Sequence, residues 1–386
     1  MTRSMGCIRD VRAYPTSFPL PKENQVTLGV GRTIKRDAVV VKVTTDGGLV
    51  GWGESHHGRA HTAIATLVND GLAPLIIGMD ALDVVGVWDR IYRGQLASHG
   101  MGAAAAMAMS GIDMALWDIR GKAVGWPLYR LLGGAPRAAP AYAGGVALGW
   151  QDPASLADEA ASMVERGFMA IKLRLGDGWR NDIARVQAVR RALGGEVEIL
   201  ADANTGYTMD DARRAIPALD ETAVGWLEEP FSPHDSLRYR TAREFGALPF
   251  AAGENHYTKT DFAWLIDAEV VTVLQPDLSK VGGVTEAMRI AAMASAKGLV
   301  IHPHSSMTGI NAAATVHMLS AIDNAGYYEA DVSVVNRFRD DLVSNPCPVS
   351  AEGTVLPPEG PGLGIEVDEA FLHHHPPIPG PAYVAA

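Results

Sequence analysis

A chain of 386 residues, 47% of them hydrophobic, is long for one domain and suits a barrel of about 250 residues with a smaller partner. Its formal net charge of −11 argues against nucleic acid or an anionic membrane as partner, so an anionic substrate must be met by local cations. The two cysteines, Cys7 and Cys347, exclude a disulfide framework or thiolate metal site and suit a reducing cytoplasm, and the first 20 residues lack the apolar run of a signal peptide.

In chain order, residues 37–44 (DAVVVKVT) read as a strand, TDGG as a turn and LVGWGES as a second strand, together an antiparallel hairpin. Helical patterns follow over residues 62–75, 84–96 and 101–124, with LLGG closing the last. Residues 101–117 are Ala-rich but carry Asp113 and run straight into Asp118 and Arg120, which predicts a buried helix rather than a membrane span. Residues 1–132 are therefore expected to form an α+β domain.

From Pro140 the pattern changes to strand and helix in alternation. AYAGGVAL, FMAIKLRL, VEILADA, GWLEEP, LPFAAGE, VVTVLQP, LVIHPH and YYEADV are the strands; residues 153–166 and 181–194, EAMRIAAMASAKG and INAAATVHMLSAI read as amphipathic helices between them. Residues 133–334 thus predict an α/β fold of the (β/α)₈ TIM-barrel type. The rhythm stops after Val332, and the Pro- and Gly-rich segment 335–386, with strand-like GTVLP, is expected to return to the N-terminal domain.

Four of these strands end in acids, at Asp202, Glu228, Glu254 and Asp277, at intervals of roughly 23 to 26 residues. A single such acid is most simply a helix N-cap or a solvated charge. The same placement on successive strands instead gathers carboxylates at the C-terminal mouth of one barrel. There they would repel one another unless a cation sat among them, and hard oxygen donors favour Mg²⁺. Alternation along a strand also turns Lys172 with Arg174, Asp202 with Asn204, and His302 with His304 toward the interior. His304 would lie beside Asp277 on the neighbouring strand, and a carboxylate behind an imidazole orients it and raises its basicity.

KLR, ADAN, LEEP, GEN, QPDLSKVGG, HPH and YYEAD, taken in this order, closely resemble the mandelate racemase subgroup of the enolase superfamily. GWGE, ALWDIRGK and PGLGIEV extend the similarity over nearly the whole chain. The resemblance implies a modified (β/α)₇β barrel beneath an α+β capping domain, and commonly a homo-oligomer. It implies Mg²⁺ held by Asp202, Glu228 and Glu254, with His304 and Asp277 as the catalytic dyad. Glu329 would hydrogen-bond a small-molecule carboxylate substrate and so be protonated or share a proton. The superfamily's chemistry is removal of an α-proton by a Lys or His base, with the enediolate stabilised by Mg²⁺.

Two departures narrow the reading. Asp277 stands where the muconate-lactonising and dipeptide-epimerase relatives carry a Lys, which disfavours those activities. Arg174 stands where the racemase pattern has a Lys base. A guanidinium would have to release its proton roughly six pH units below its ordinary value, at a cost on the order of 8 kcal/mol. Arg174 is therefore expected to pair with Glu228 or another acid, or to hold substrate bidentately. With His304 as the only base, dehydration of a polyhydroxy acid to a 2-keto-3-deoxy acid is favoured, aided by Lys172 at the substrate carboxylate. The competing readings are a racemase, epimerase or cycloisomerase of an acid sugar or its lactone, and a non-catalytic metal-dependent binding protein; His304, Asp277 and Lys172 argue against the last. Substrate identity is expected to lie in the loops at 15–35 and 54–61, where His56 and His57 stand over the mouth. Of the other candidates, His302 is read as a hydrogen-bonded barrel histidine and kept as a possible substrate contact, Lys280 as structural, and the run from His373 to His375 as a solvated tail.

Overall fold

A computed structural model describes residues 6–98, 100–305 and 307–385. Buried β-branched residues build the first sheet: Val39, Val40, Val41 and Val43 are all fully buried because the strand that carries them is covered on both faces. The strands β1 (Ile8–Pro19), β2 (Thr27–Leu28), β3 (Gly31–Thr33), β4 (Lys35–Thr45) and β5 (Val50–Ser55) come first, and β1, β4 and β5 make a three-stranded antiparallel sheet in that order. The hairpin of β4 and β5 matches its sequence pattern. β1 carries Pro15 and Pro19, which hide it from a strand pattern; as an edge strand it has a free side, where a missing N–H costs no ladder bond. The expected helices are present, two of them interrupted. His61–Thr66 runs through a wider π-helical turn at Leu67–Leu72 into Ala73–Ile76, and Val84–Ile91 ends in another at Tyr92–Leu96.

The Ala-rich helix Ala103–Val124 is buried along most of its length, and no helix among the described residues is long and apolar enough to cross a membrane. It lies on β5 in backbone contact. A Cβ added at Gly51 would stand 2.0 Å from the Ala115 carbonyl oxygen, and one at Gly53 equally close to that of Gly111. The same helix ties the capping domain to the barrel. Ser110 Oγ accepts from Gly282 N and Asp113 Oδ2 from Thr285 N, both at 2.9 Å, and Trp117 Nε1 donates to Thr285 Oγ1.

The barrel strands are β6 (Ala139–Gly144), β7 (Ala170–Arg174), β8 (Glu198–Asp202), β9 (Val224–Glu228), β10 (Phe250–Ala252), β11 (Val273–Leu274), β12 (Val300–Ile301) and β13 (Tyr328–Asp331). They pair in parallel from β6 round to β12, and β13 pairs with β6. Between β12 and β13 the ladder thins to one bridge, Ile301 to Ala325. A helix separates each strand from the next, up to Gly309–Leu319 before β13, so the architecture is (β/α)₇β. Tyr142, Ala170, Leu200, Trp226 and Ala251 form a small buried cluster, distinct from the large core that the barrel shares with its helices. The register sets Arg174 opposite Asp202 and Asp202 opposite Glu228, which gathers these charges at one level at the C-terminal ends of β7, β8 and β9.

The C-terminal segment divides its contacts. Its strands are β14 (Val343–Ser344), β15 (Thr354–Val355), β16 (Glu366–Val367) and β17 (Tyr383–Val384). β15, the GTVLP strand, pairs antiparallel with the start of β6 and so joins the barrel instead of the capping domain. β17 pairs antiparallel with β3. His375 is no solvated tail residue: its carbonyl accepts from Thr16 Oγ1 at 2.6 Å, and its ring stacks on Phe371 with centroids 3.9 Å apart.

The contact of β5 with its helix generates a stability prediction. Gly53→Ala should force strand and helix apart and cost about 1–3 kcal/mol, read as a lower urea midpoint with little change in slope.

Candidate active site

The inward positions at the C-terminal ends of the strands hold an interleaved set of acids and cations, nearly all buried. Asp202, Glu228 and Glu254 end β8 and β9 and follow β10; each offers an oxygen within 4.8 Å of the others. Around them Lys172 Nζ donates to Glu228 at 3.0 Å and lies 3.0 Å from Glu329 Oε1 and 3.9 Å from Asp202. Arg174 donates from Nη1 to Asp202 and from Nη2 to the Gly145 carbonyl, and Nη2 also lies 3.8 Å from Glu329. Lys280 Nζ donates to Glu254 at 3.1 Å. Burial would discharge these cations, but Glu228 and Glu329 hold Lys172 above its ordinary range, and Asp202 and Glu329 do the same for Arg174. Arg174 is thus a fixed charge, paired with Asp202 in place of Glu228.

The acids are not equally compensated. Burial, then the neighbouring Asp202, lifts Glu228 to about 7, although Gln275 Nε2 and Lys172 both donate to it. Burial and the nearby Glu254 raise Glu229 well above the usual range; one of its oxygens accepts from Asn255 Nδ2 at 2.6 Å and the other has no partner among the described residues. Asn204 donates both its backbone N–H and its amide to Asp202, leaving its own Oδ1 buried and without a partner among the described residues. Three clustered carboxylates, one of them pushed toward protonation, with an amide oxygen left over nearby, are a donor set that fits a hard divalent cation.

His304 and Asp277 stand beside this cluster. The Nδ1–H donates to Asp277 Oδ2 at 2.6 Å, and Nε2 lies 3.0 Å from Glu254. The other oxygen of Asp277 accepts from Ser279 N at 2.7 Å, Ser279 Oγ at 2.6 Å and Asn311 Nδ2 at 3.1 Å, which fixes the carboxylate plane and leaves Oδ2 for the imidazole. Burial alone would lower His304, but Glu254 and Glu329, with the bond to Asp277, raise it to about 9. Behind Asp277, Glu54 of β5 accepts from Thr308 and is lifted by burial to about 8.

A cavity of about 500 Å³ opens over Arg174, Asn204, Glu254 and His304, walled on the capping side by Leu28, Val30, His56, His57, Arg59 and Ala103 and by Tyr383 of the tail. A second cavity, about 370 Å³, lies between β13 and the tail and contains neither the acid cluster nor the dyad. Two sequence expectations are revised by placement. His302 lies outside the site cavity: its Nδ1 accepts from Tyr327 N at 2.9 Å and its ring meets Trp226 edge-on at 4.9 Å, so it belongs to the floor of the barrel. Burial would raise Glu329, but Lys172 and His304 lower it to about 2. Lys280, read from sequence as structural, lines the mouth and binds Glu254. Its position three residues after Asp277 was the available signal.

Comparison with known proteins gives the same frame. Residues 16–133 match the mandelate racemase / muconate lactonizing enzyme N-terminal domain, and residues 155–371 match the enolase C-terminal domain-like family. The arabinonate dehydratase of Saccharolobus solfataricus is 31% identical over 95% of this chain and 99% of its own. The D-galactarolactone cycloisomerase of Agrobacterium fabrum is 33% identical over 88% of this chain and 91% of its own. A solved structure of an enolase superfamily member from Polaromonas sp. JS666 is 55% identical, with a TM-score of 0.96 over 98% of this chain and all of its own. Matched on both domains and nearly end to end, the chain belongs to the mandelate racemase and muconate lactonizing enzyme family of the enolase superfamily.

Proposed function

We propose that this enzyme is a Mg²⁺-dependent dehydratase of a polyhydroxy acid, a hydro-lyase that converts an acid sugar to a 2-keto-3-deoxy acid. The observation that carries the reading is the asymmetry of the site: one base, His304, backed by Asp277, and opposite it a guanidinium locked in charge by Asp202 and Glu329. Loss of water needs only one imidazole, which takes a proton and returns it, whereas two-base racemisation needs a base on each face of the carbon. The relative named arabinonate dehydratase accords with this.

Asp202, Glu228 and Glu254 would hold Mg²⁺, which supplies Lewis-acid stabilisation of the negative charge developing on the substrate carboxylate. His304 acts as the base in its neutral form, its Nδ1–H held by Asp277. Nδ1 is occupied by Asp277, so Nε2 is the nitrogen that accepts the α-proton as the C–H bond breaks. The imidazolium then donates that proton to the β-hydroxyl as its C–O bond breaks, water leaves, and the enol product becomes the keto acid. Lys172, 3.0 Å from Glu228 and from Glu329, is placed to offset charge at the substrate carboxylate, and Arg174 to grip an oxygen of substrate without taking its proton. The reading includes a reducing cytoplasm, consistent with two free cysteines, and a homo-oligomer, with which the exposed Leu237 and Val334 accord.

A second reading is suggested by the relative named D-galactarolactone cycloisomerase. The α-proton would be removed in the same way, but the leaving oxygen would remain tethered in a lactone, so the product would keep the mass of the substrate.

Three measurements bear on the proposal. Chelation should abolish turnover and Mg²⁺ restore it, and Glu254→Gln should weaken metal binding by replacing a charged ligand with an amide; full turnover after exhaustive chelation would remove the metal from the reaction. His304→Asn should lower kcat by about 10²–10⁴-fold with the circular-dichroism spectrum kept, and Asp277→Asn should lower it less. In deuterium oxide, label should enter on one face only and a keto acid lighter by one water should accumulate. Two labelled epimers without keto acid would establish a racemase.

A further inference from the structure

Among the described residues, the capping wall of the site cavity offers side-chain donors and no side-chain carboxylate. Residues 56–59 follow β5 and are pinned to the barrel by the bond from His56 N to Ser279 O at 2.9 Å. Within this turn Gly58 N donates to His56 Nδ1 at 3.1 Å and Arg59 N to His57 Nδ1 at 3.0 Å. A ring nitrogen that accepts a backbone N–H carries no proton, so in both residues the proton sits on Nε2. Burial keeps the rings neutral, His57 down to about 3. Each is therefore a fixed neutral donor, and the two rings support each other with centroids 4.2 Å apart.

Arg59 completes the wall. Its backbone is held in the left-handed region at φ 58°, an uncommon conformation for a residue with a Cβ. Its guanidinium stands 5.6 Å over the ring of Tyr383, which the tail brings in through β17, and it forms no ion pair among the described residues. The acids that line the cavity, Glu229 and Glu254, come from the barrel wall. Two oriented N–H donors and one uncompensated, fork-shaped cation match a flat group with two acceptor oxygens and a negative charge. The reacting carboxylate is already provided for by Lys172 and the acid cluster.

We propose that His56, His57 and Arg59 bind a second carboxylate at the far end of the substrate, so that the substrate class is a dicarboxylic acid sugar and not a monoacid. The proposal rests on the acid-sugar reading and names the substrate class of that same site.

The test uses full-length, Mg²⁺-loaded protein and two matched pairs, galactarate against galactonate and glucarate against gluconate, which within each pair differ only at the terminal carbon. Binding is measured by calorimetry in the His304→Asn background, where chemistry does not intervene, and kcat/KM is measured in the unmodified enzyme. The diacid of at least one pair should bind at least 10-fold more tightly than its monoacid, and Arg59→Gln should bring that ratio close to one, with Arg59→Lys between. Equal binding within both pairs, or a ratio that survives Arg59→Gln, overturns the proposal, as does tighter binding of 6-phosphogluconate than of both diacids. If the binding ratio holds and no keto acid forms from any of the four, the dehydratase reading fails and this one stands. If keto acid forms from a monoacid alone, the reaction stands and this proposal fails.

Discussion

The ammonium group of Lys172, wholly buried and 3.0 Å from both Glu228 and Glu329, is the interaction on which the barrel mouth depends. Six carboxylates, Asp202, Glu228, Glu229, Glu254, Asp277 and Glu329, share this small volume, all of them buried. Desolvation alone would protonate most of them. Lys172, Arg174, Lys280 and His304 are threaded between them so that acids meet cations within hydrogen-bonding reach, and the carboxylates left least compensated, Glu228 and Glu229, are driven toward the neutral form. Removing one member of such a set leaves a buried charge exposed to its neighbours, which typically costs 3–5 kcal/mol. Each charged residue in the mouth is therefore both a structural part and a chemical one.

The working asymmetry follows from the same network. Arg174 is held by Asp202, by Glu329 and by a backbone carbonyl, so the face where a second base would stand is occupied by a permanent cation. On the other face, three donors to one oxygen of Asp277 reserve its second oxygen for His304, which settles the tautomer and direction of the imidazole. The support extends across the domain boundary, where Glu54 on β5 accepts from Thr308 at the head of helix Gly309–Leu319, whose Asn311 contacts Asp277.

Much of this architecture was legible in the sequence because parallel strands covered on both faces read as short apolar runs, and because acids recurring at their ends keep the period of the fold. The level of a residue inside the barrel was not legible. His302 and His304 share an alternation and so a face, but the two-residue step carries one to the floor beside Trp226 and the other to the mouth. Strand parity gives direction and not depth. The pairing of Glu329 with Lys172 was also hidden, since Lys172 arrives from six strands away in sequence and from two positions away in the sheet. β1 escaped through its prolines, and the destination of GTVLP escaped because a two-residue pairing has no periodicity to read. The partnership of Arg59 with Tyr383 spans nearly the whole chain and leaves no local trace.

That last contact has a consequence for how the protein is made. β3 pairs with β17, so Thr33 finds its partner only when Tyr383 has been synthesised. Chains emerge from the ribosome N-terminus first, at about 5–20 residues per second, and domains fold as they appear. The sheet of β1, β4 and β5 can close early, since its strands all lie within residues 8–55, but the pairing of Gly31–Thr33 with β17 must wait through the translation of the entire barrel. The Tyr383 side of the cavity is therefore put in place by a segment made after the barrel strands.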